Sequence, residues 1–417
     1  MSKLYINGGN RLSGEISVHG AKNSVLPIMA ATLLCNGEAT IHNCPDLSDV
    51  TAAIKILEHL GCKVKRCGNT VVVNSREITN DEIPDSLMRE MRSSIVFLGA
   101  IIGRLGRAVI SSPGGCELGP RPIDLHLSAL RKMGLLIDED HGNLYCKAEK
   151  KLYGTQIHLL FPSVGATENI ILASTLANGT TVIHNAAKEP EISDLADFLN
   201  GAGARICGAG SDTITVFGVE RLNSTEHTII PDRIVTATYI CAAAVTKGDI
   251  TLNNIMPPHL VVLLNTFKEC GCEIIPSKSS MRIRANDELK RIPTIRTTVY
   301  PGFPTDAGPP VIAMLSLAKG TSVFVENIFE NRYKYIDELK RLGASIKTEN
   351  RVAVIEGVKG LSSAKIQCTD LRGGAALVVA ALAAEGESEI DKIYHIDRGY
   401  ESIEKSLSLL GADIKRK

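Results

Sequence analysis

Apolar residues along the chain fall into two kinds of helical stretch that alternate. In VLPIMAATLL (25–34), ATENIILASTLA (166–177) and GGAALVVAALAA (373–384) they lie around most of the helix circumference. A helix without a polar face predicts burial on all sides. In YKYIDELKRLG (333–343) charged and apolar residues alternate with the helical period, which predicts an outer helix with one face inward. Both kinds run into glycine followed by strand-forming residues.

The outer type reads LEHLGCKV, LRKMGLLI, LNGAGARI, FKECGCEI, LKRLGASI and LSLLGADI, with its glycine at Gly61, Gly134, Gly203, Gly271, Gly343 and Gly411. The inner type ends at Gly37, Gly106, Gly179, Gly248, Gly320 and Gly386, as in IGRLGRAVI and LAKGTSVFV. Each series repeats roughly every 70 residues, the mark of an internal structural repeat. A glycine there suits a helix C-cap in the left-handed region. Each unit therefore predicts a buried helix, a strand, an amphipathic helix and two strands joined by a turn, as in GASIKTENRVAVIEG. The sixth unit stops too soon, at GADIKRK, and lacks its last strands. LYINGGNRLSGEI, from Leu4, matches VAVIEGVKGLSSAKI, from Val352, so the N-terminus is expected to complete the second half of the chain. The pattern predicts an α/β protein of two three-unit domains, residues 22–229 and residues 1–21 plus 230–417.

Composition narrows the function. The 417 residues exceed what one core usually organises, which agrees with two domains. Lysine plus arginine (46) equals aspartate plus glutamate (46), tryptophan is absent and aromatics are few, which argues against a nucleic-acid surface. Eleven scattered cysteines without a framework or zinc spacing fit reduced thiols in a cytosolic protein. The start MSKLYINGG has no signal pattern and no apolar run is long enough to span a bilayer, so a cytoplasmic location is expected, with no membrane and no obligate protein partner.

The chemistry concentrates in SPGGCELGPRPIDLH (112–126). Gly114 and Gly115 let the backbone approach a ligand, Cys116 carries a nucleophilic, acidic thiol, and Arg121 and Asp124 add an anion clamp and an acceptor. The six inner helices start with GAKNSV, MRSSI, SVGAT, PDRIV, FPTDAG and DLRGG, which contribute Lys22, Asn23, Arg92, Ser163, Asp232, Arg233, Asp306, Asp370 and Arg372. Helix N-termini favour anions. With Lys22, Arg92, Arg121, Arg372 and Arg398 they point to a substrate bearing phosphates or carboxylates, held where these starts converge between the domains. Capping alone accounts equally well for Ser163, Asp232 or Asp306 taken singly. It does not account for lysine or arginine at a helix start, where the dipole disfavours them.

These residues carry a resemblance. GAKNSVLP, SPGGCELGPRPIDLH, SVGAT, EPEI, PDRI, FPTD, FENRY, TDLR and HIDRGYE make the chain similar from end to end to the UDP-N-acetylglucosamine enolpyruvyl transferases. The resemblance implies two inside-out α/β domains with the active site in the cleft between them. It implies transfer of the enolpyruvyl group of phosphoenolpyruvate to the 3-hydroxyl of UDP-N-acetylglucosamine, an early step of peptidoglycan synthesis, with no metal or organic cofactor. On it, Cys116 protonates phosphoenolpyruvate and can form a covalent adduct, Asp306 takes the sugar hydroxyl proton, and Lys22 and Arg398 complete the catalytic set. Lys22, Asn23, Arg121, Arg372 and Arg398 would bind phosphoenolpyruvate. Asn23, Arg92, Arg121, Pro122, Ile123, Asp124, Leu125, Ser163, Val164, Gly165, Asp306 and Ile328 would bind the nucleotide sugar.

The chain departs from the family pattern at Phe161, where a lysine is common, at Val235 after PDRI, and at Gly308–Pro309–Pro310 after FPTD. Two other readings stay open: a low-activity paralogue that binds the nucleotide sugar in a regulatory role, and a transferase acting on a shikimate phosphate.

Overall fold

The computed structural model describes residues 2–91, 93–111, 123–285 and 288–417. They form two compact units, one of residues 20–230 and one of residues 2–19 with 231–417. Each unit has its own continuous apolar core.

Among the described residues, six four-stranded sheets share one order. In the sheet built on Thr180–His184, the strand Gln156–His158 pairs parallel on one side. Thr213–Phe217 pairs antiparallel on the other and carries Arg205–Cys207 at the edge. The repeat is therefore strand, inner helix, strand, outer helix, strand, strand, with the last strand inserted between the two before it. A helix crossover links the parallel pair, as parallel pairing requires.

Chain ends complete two of the six sheets. Leu4–Asn7 inserts between Glu387–Asp391 and Asp413–Arg416, antiparallel to both, with Leu4 opposite Ile390 and Arg416. Ser13–Ser17 pairs parallel with Asp249–Asn253. In the other unit Thr225–Thr228 returns to pair parallel with Glu38–His42.

The inner helices are Lys22–Ala31, Val96–Leu105 and Val164–Thr175 in one unit, and Arg233–Val245, Gly308–Leu315 and Leu371–Ala383 in the other. Every residue from Arg372 to Leu382 is buried, and so is every residue from Arg233 to Ala244. The outer helices, such as Ser48–His59, bury one face only. Among the described residues no helix is long and apolar enough to cross a membrane.

The six glycines that follow the outer helices all adopt left-handed φ, between 91° at Gly411 and 105° at Gly203. The inner series differs at one place: before Asp249–Asn253 it is Lys247 that takes φ 53°. Gly248 is instead pressed against backbone, since a Cβ on it would lie 2.8 Å from the Leu12 carbonyl oxygen.

Close approach governs Gly99. A Cβ there would stand 2.4 Å from the Asn169 carbonyl oxygen, and the Gly99 N–H donates to Asn169 Oδ1 at 2.6 Å. Helices Val96–Leu105 and Val164–Thr175 thus meet almost backbone to backbone. Gly99→Ala is expected to destabilise the protein by about 1–3 kcal/mol, as overpacking of a core does. A lower urea midpoint of the first unfolding transition checks it, and an unchanged midpoint would mean the helices separate without loss.

Candidate functional site

The predicted residues sort into one set per unit. In the unit of residues 231–417 they surround Asp306. This residue was a candidate N-cap by type, but the structure gives it another task. It lies in the 3-10 turn Thr305–Ala307, and the following helix, with Pro309 and Pro310 in its first turn, is entered through Ala307. Its carboxylate meets two arginines: Arg332 Nη2 donates to Oδ1 at 3.0 Å, and Arg372 Nε to Oδ2 at 3.3 Å. Both guanidinium groups are sealed, at 3 % and 2 % exposure, whereas Asp306 keeps 28 %. The Asp306 carboxylate is thus held by two buried guanidinium groups while part of its surface stays exposed.

Buried charge of this kind is tolerated only when compensated. Burial opposes the charge of Arg372, while Tyr400, Asp306 and Asp232 favour it, and the balance raises its pKa above that of an ordinary arginine. Its guanidinium carbon lies 5.4 Å from the centre of the Tyr400 ring. Nη1 and Nη2 of Arg372 are buried and make no hydrogen bond of good geometry among the described residues.

Neighbouring helix starts are capped. Asp232 accepts from the Ile234 and Val235 N–H groups at 2.8 and 3.0 Å, and Asp370 from those of Arg372 and Gly373 at 3.1 and 2.9 Å. Each such cap contributes about 1 kcal/mol. Arg398 closes the 3-10 helix Ile393–Arg398 and is half-buried. Ile328 sits in a turn whose backbone is held by Glu326: Oε1 accepts from the N–H groups of Ile328 and Phe329 at 2.8 and 3.1 Å. Glu326 also accepts from Thr297 at 3.0 Å and from Thr305, the residue before Asp306, at 2.8 Å.

In the other unit Lys22 opens the first inner helix. The dipole cost of a cation there is met by Asp49, 2.9 Å away and 1 % exposed, on the outer helix Ser48–His59. Asn23 is exposed beside it. Ser24 is buried and donates to Asp194, whose other oxygen is 2.8 Å from His227 Nε2.

A second group joins two helix starts. Ser163 caps Val164–Thr175 through the Ala166 N–H at 3.3 Å, while Ile123 precedes Asp124–Lys132. His126 bridges them, because a Cβ on Gly165 would lie 3.1 Å from His126 Cε1. Asn169 Nδ2 donates to His126 Nδ1 at 2.8 Å and to the Ile95 carbonyl at 3.0 Å. With Nδ1 accepting, the ring proton belongs on Nε2. Burial depresses the His126 pKa to about 4 against the opposing pull of Asp124, so the ring is neutral. Glu168 is buried, and burial with the charges of Glu191 and Glu189 raises its pKa well above the carboxylate range. Phe161 is exposed just before Ser163, and its carbonyl accepts from the Ser163 N–H at 2.7 Å.

The structure therefore brings Asp306 and Arg372 together, and joins the run Ile123–Leu125 to Ser163–Gly165. Cys116, Arg121, Pro122 and Arg92 lie outside the described residues. Sequence reasoning assigned no task to Arg332, Asp49, Glu326 or His126. Arg332 sits in FENRY and His126 closes SPGGCELGPRPIDLH, both singled out as motifs, so a signal existed. Asp49 and Glu326 had none.

A profile for EPSP synthase (3-phosphoshikimate 1-carboxyvinyltransferase) matches residues 6–407. UDP-N-acetylglucosamine 1-carboxyvinyltransferase 2 of Caldanaerobacter subterraneus subsp. tengcongensis is 56% identical over 416 residues, which cover 100% of both chains. UDP-N-acetylglucosamine 1-carboxyvinyltransferase 1 of Symbiobacterium thermophilum is 48% identical over 425 residues, covering 99% of this chain and 95% of that one. The enolpyruvyl transferase NikO of Streptomyces tendae shares the fold, with a TM-score of 0.91 at 24% identity over 100% of this chain and 99% of its own. EPSP synthase of Acinetobacter baumannii shares it with a TM-score of 0.77 at 17% identity, both chains covered in full. Matched along its whole length in sequence, and carrying the Asp306 and Lys22 arrangements where the family motifs stand, the chain belongs to the EPSP synthase family and, within it, to the UDP-N-acetylglucosamine 1-carboxyvinyltransferases.

Proposed function

We propose that this chain transfers the enolpyruvyl group of phosphoenolpyruvate to the 3-hydroxyl of UDP-N-acetylglucosamine and releases phosphate. The observation that carries the reading is the partly exposed Asp306 carboxylate, oriented by the buried Arg332 and Arg372. Relatives of that name at 48% and 56% identity support the same reading.

The reaction needs a proton on the methylene carbon of phosphoenolpyruvate, an acceptor for the sugar hydroxyl proton, and cations for the carboxylate and departing phosphate. Cys116 is assigned the first task and Asp306 the second. Lys22, Arg121, Arg398 and Arg372 take the anionic groups, with Asn23 beside Lys22. A carboxylate held by two guanidinium groups cannot turn away from its substrate, and that orientation is what a general base requires. The run Arg121–Leu125, Ser163–Gly165, Arg92, Asn23, Asp306 and Ile328 is assigned to the nucleotide sugar. His126 belongs with that set, because its neutral ring presents Nε2–H beside Gly165. A location in the cytoplasm fits substrates of this kind.

Phosphate release is expected only when both substrates and Cys116 are present. Omission of either substrate, or Cys116→Ala, should abolish it, while Cys116→Asp should retain turnover if protonation suffices without an adduct. Saturable binding of UDP-N-acetylglucosamine without release would favour the regulatory paralogue, and no binding would favour another acceptor. Asp306→Asn is expected to lower kcat by about 10²–10⁴, the range for a lost general base. Titration calorimetry should still find the nucleotide sugar bound, and turnover near that of the parent would remove Asp306 from the role of base.

A further inference from the structure

We propose that Arg416, on the last strand of the chain, is a positioning residue that fixes Arg398 through Asp397. The inference rests on the reading of Arg398 as a phosphoenolpyruvate-binding residue.

Arg416 stands on the inward face of its strand and is half-buried. In the strand Asp413–Arg416, Ile414 is buried in the core, and position 416 lies on the same face, two residues on. Equivalent positions in the other repeats are Arg66, Glu139, Gly208, Pro276 and Thr348, so the repeat itself does not demand arginine. A cation on the inward face needs a partner. Arg416 has a two-pronged one: Nη1 donates to Asp397 Oδ2 at 3.0 Å and Nη2 to Asp397 Oδ1 at 2.6 Å. Nη2 also reaches Glu404 Oε2 on the following helix at 3.1 Å. A forked guanidinium–carboxylate pair fixes orientation as well as distance.

Asp397 is the residue before Arg398, so the fork holds the peptide from which Arg398 extends. The other side is held as firmly. The N–H groups of Gly399 and Tyr400 both donate to the Ile396 carbonyl at 3.0 Å. A Cβ on Gly399 would lie 2.9 Å from Leu371, and the Tyr400 hydroxyl is 2.8 Å from Thr238 Oγ1. Arg398 thus springs from a segment clamped at Asp397 and at Tyr400.

The strand that carries Arg416 is an edge strand paired with Leu4–Asn7. Its end is closed by reciprocal hydrogen bonds between Lys3 and Lys417, at 2.7 and 3.0 Å. Arg416 therefore passes the order of a completed sheet to the base of a substrate-binding arginine.

The test compares Arg416→Lys, Arg416→Gln and Asp397→Asn with Arg398→Ala in the full chain. Phosphate release is followed with each substrate varied in turn, beside thermal unfolding. Lysine keeps the charge but not the fork, and asparagine is isosteric, so these two carry the test should Arg416→Gln fail to fold. A rise in KM for phosphoenolpyruvate of about tenfold is expected, as for a modest misplacement of a binding group, with KM for UDP-N-acetylglucosamine unaltered. Arg398→Ala combined with Arg416→Gln should raise KM no further than Arg398→Ala alone, because the two act through one group. If Arg398→Ala raises KM for phosphoenolpyruvate and the Arg416 and Asp397 variants do not, or if they lower only the unfolding temperature, the positioning role is overturned. If Arg398→Ala leaves that KM unchanged, the reading of Arg398 fails, and the proposal with it.

Discussion

A helix with no polar face has to be enclosed, and this requirement shapes the rest of the molecule. The inner helices are buried almost all round, so each must find apolar cover in every direction. Three such helices in each unit share a core, and every sheet of the repeat adds apolar side chains to it. Where two inner helices touch, small residues bring the backbones together, as Gly99 does against Asn169. The outer helices then need bury only one face. Architecture follows from the length of six apolar segments and the lack of any polar stripe on them.

Such a helix has unpaired backbone groups to offer at its ends alone. Its first N–H groups are unpaired and its sides are closed, so side chains that can bond to anions or to backbone collect at the start. Asp232, Asp370 and Ser163 cap their helices there. Lys22 and Arg372 in the first turns of their helices, and Asp306 in the 3-10 turn before its own, are compensated by ion pairs instead: Arg372 with Asp306, Asp306 with Arg332, and Lys22 with Asp49. The same enclosure that makes the helices stable makes these charges strong, since little solvent screens them. The fold thus concentrates charge at the starts of its enclosed helices.

Closing the sheets is the second constraint. A four-stranded repeat cut at the end of the chain would leave an open ladder, and strands from the N-terminus fill it with a register set by Leu4 against Ile390 and Arg416. The termini are thereby tied into the unit that holds Asp306 and Arg398. Order at the edge of one sheet and order in the turn Ile393–Arg398 are linked through the forked pair of Arg416 and Asp397.

The repeat, the inner and outer helices and the left-handed glycines were all legible in the chain, because each follows from short-range pattern. Apolar periodicity decides which helices are enclosed, and a glycine before β-type residues marks where a helix must turn. The motifs carried the family, and with it most of the candidate residues. Pairing across the fold was not legible. Asp306 by type is a cap, and only the approach of Arg332 and Arg372, 26 and 66 residues away, makes it an oriented carboxylate. Asp49 and Glu326 look like surface acids until folding buries them beside Lys22 and the Ile328 turn. His126 is neutral because folding buries it, and carries its proton on Nε2 because Asn169 takes its Nδ1. Local pattern determined where the helices and turns would be; which charges meet, and in which protonation state, was decided by tertiary packing, because burial and neighbouring charge exist only once distant segments are brought together.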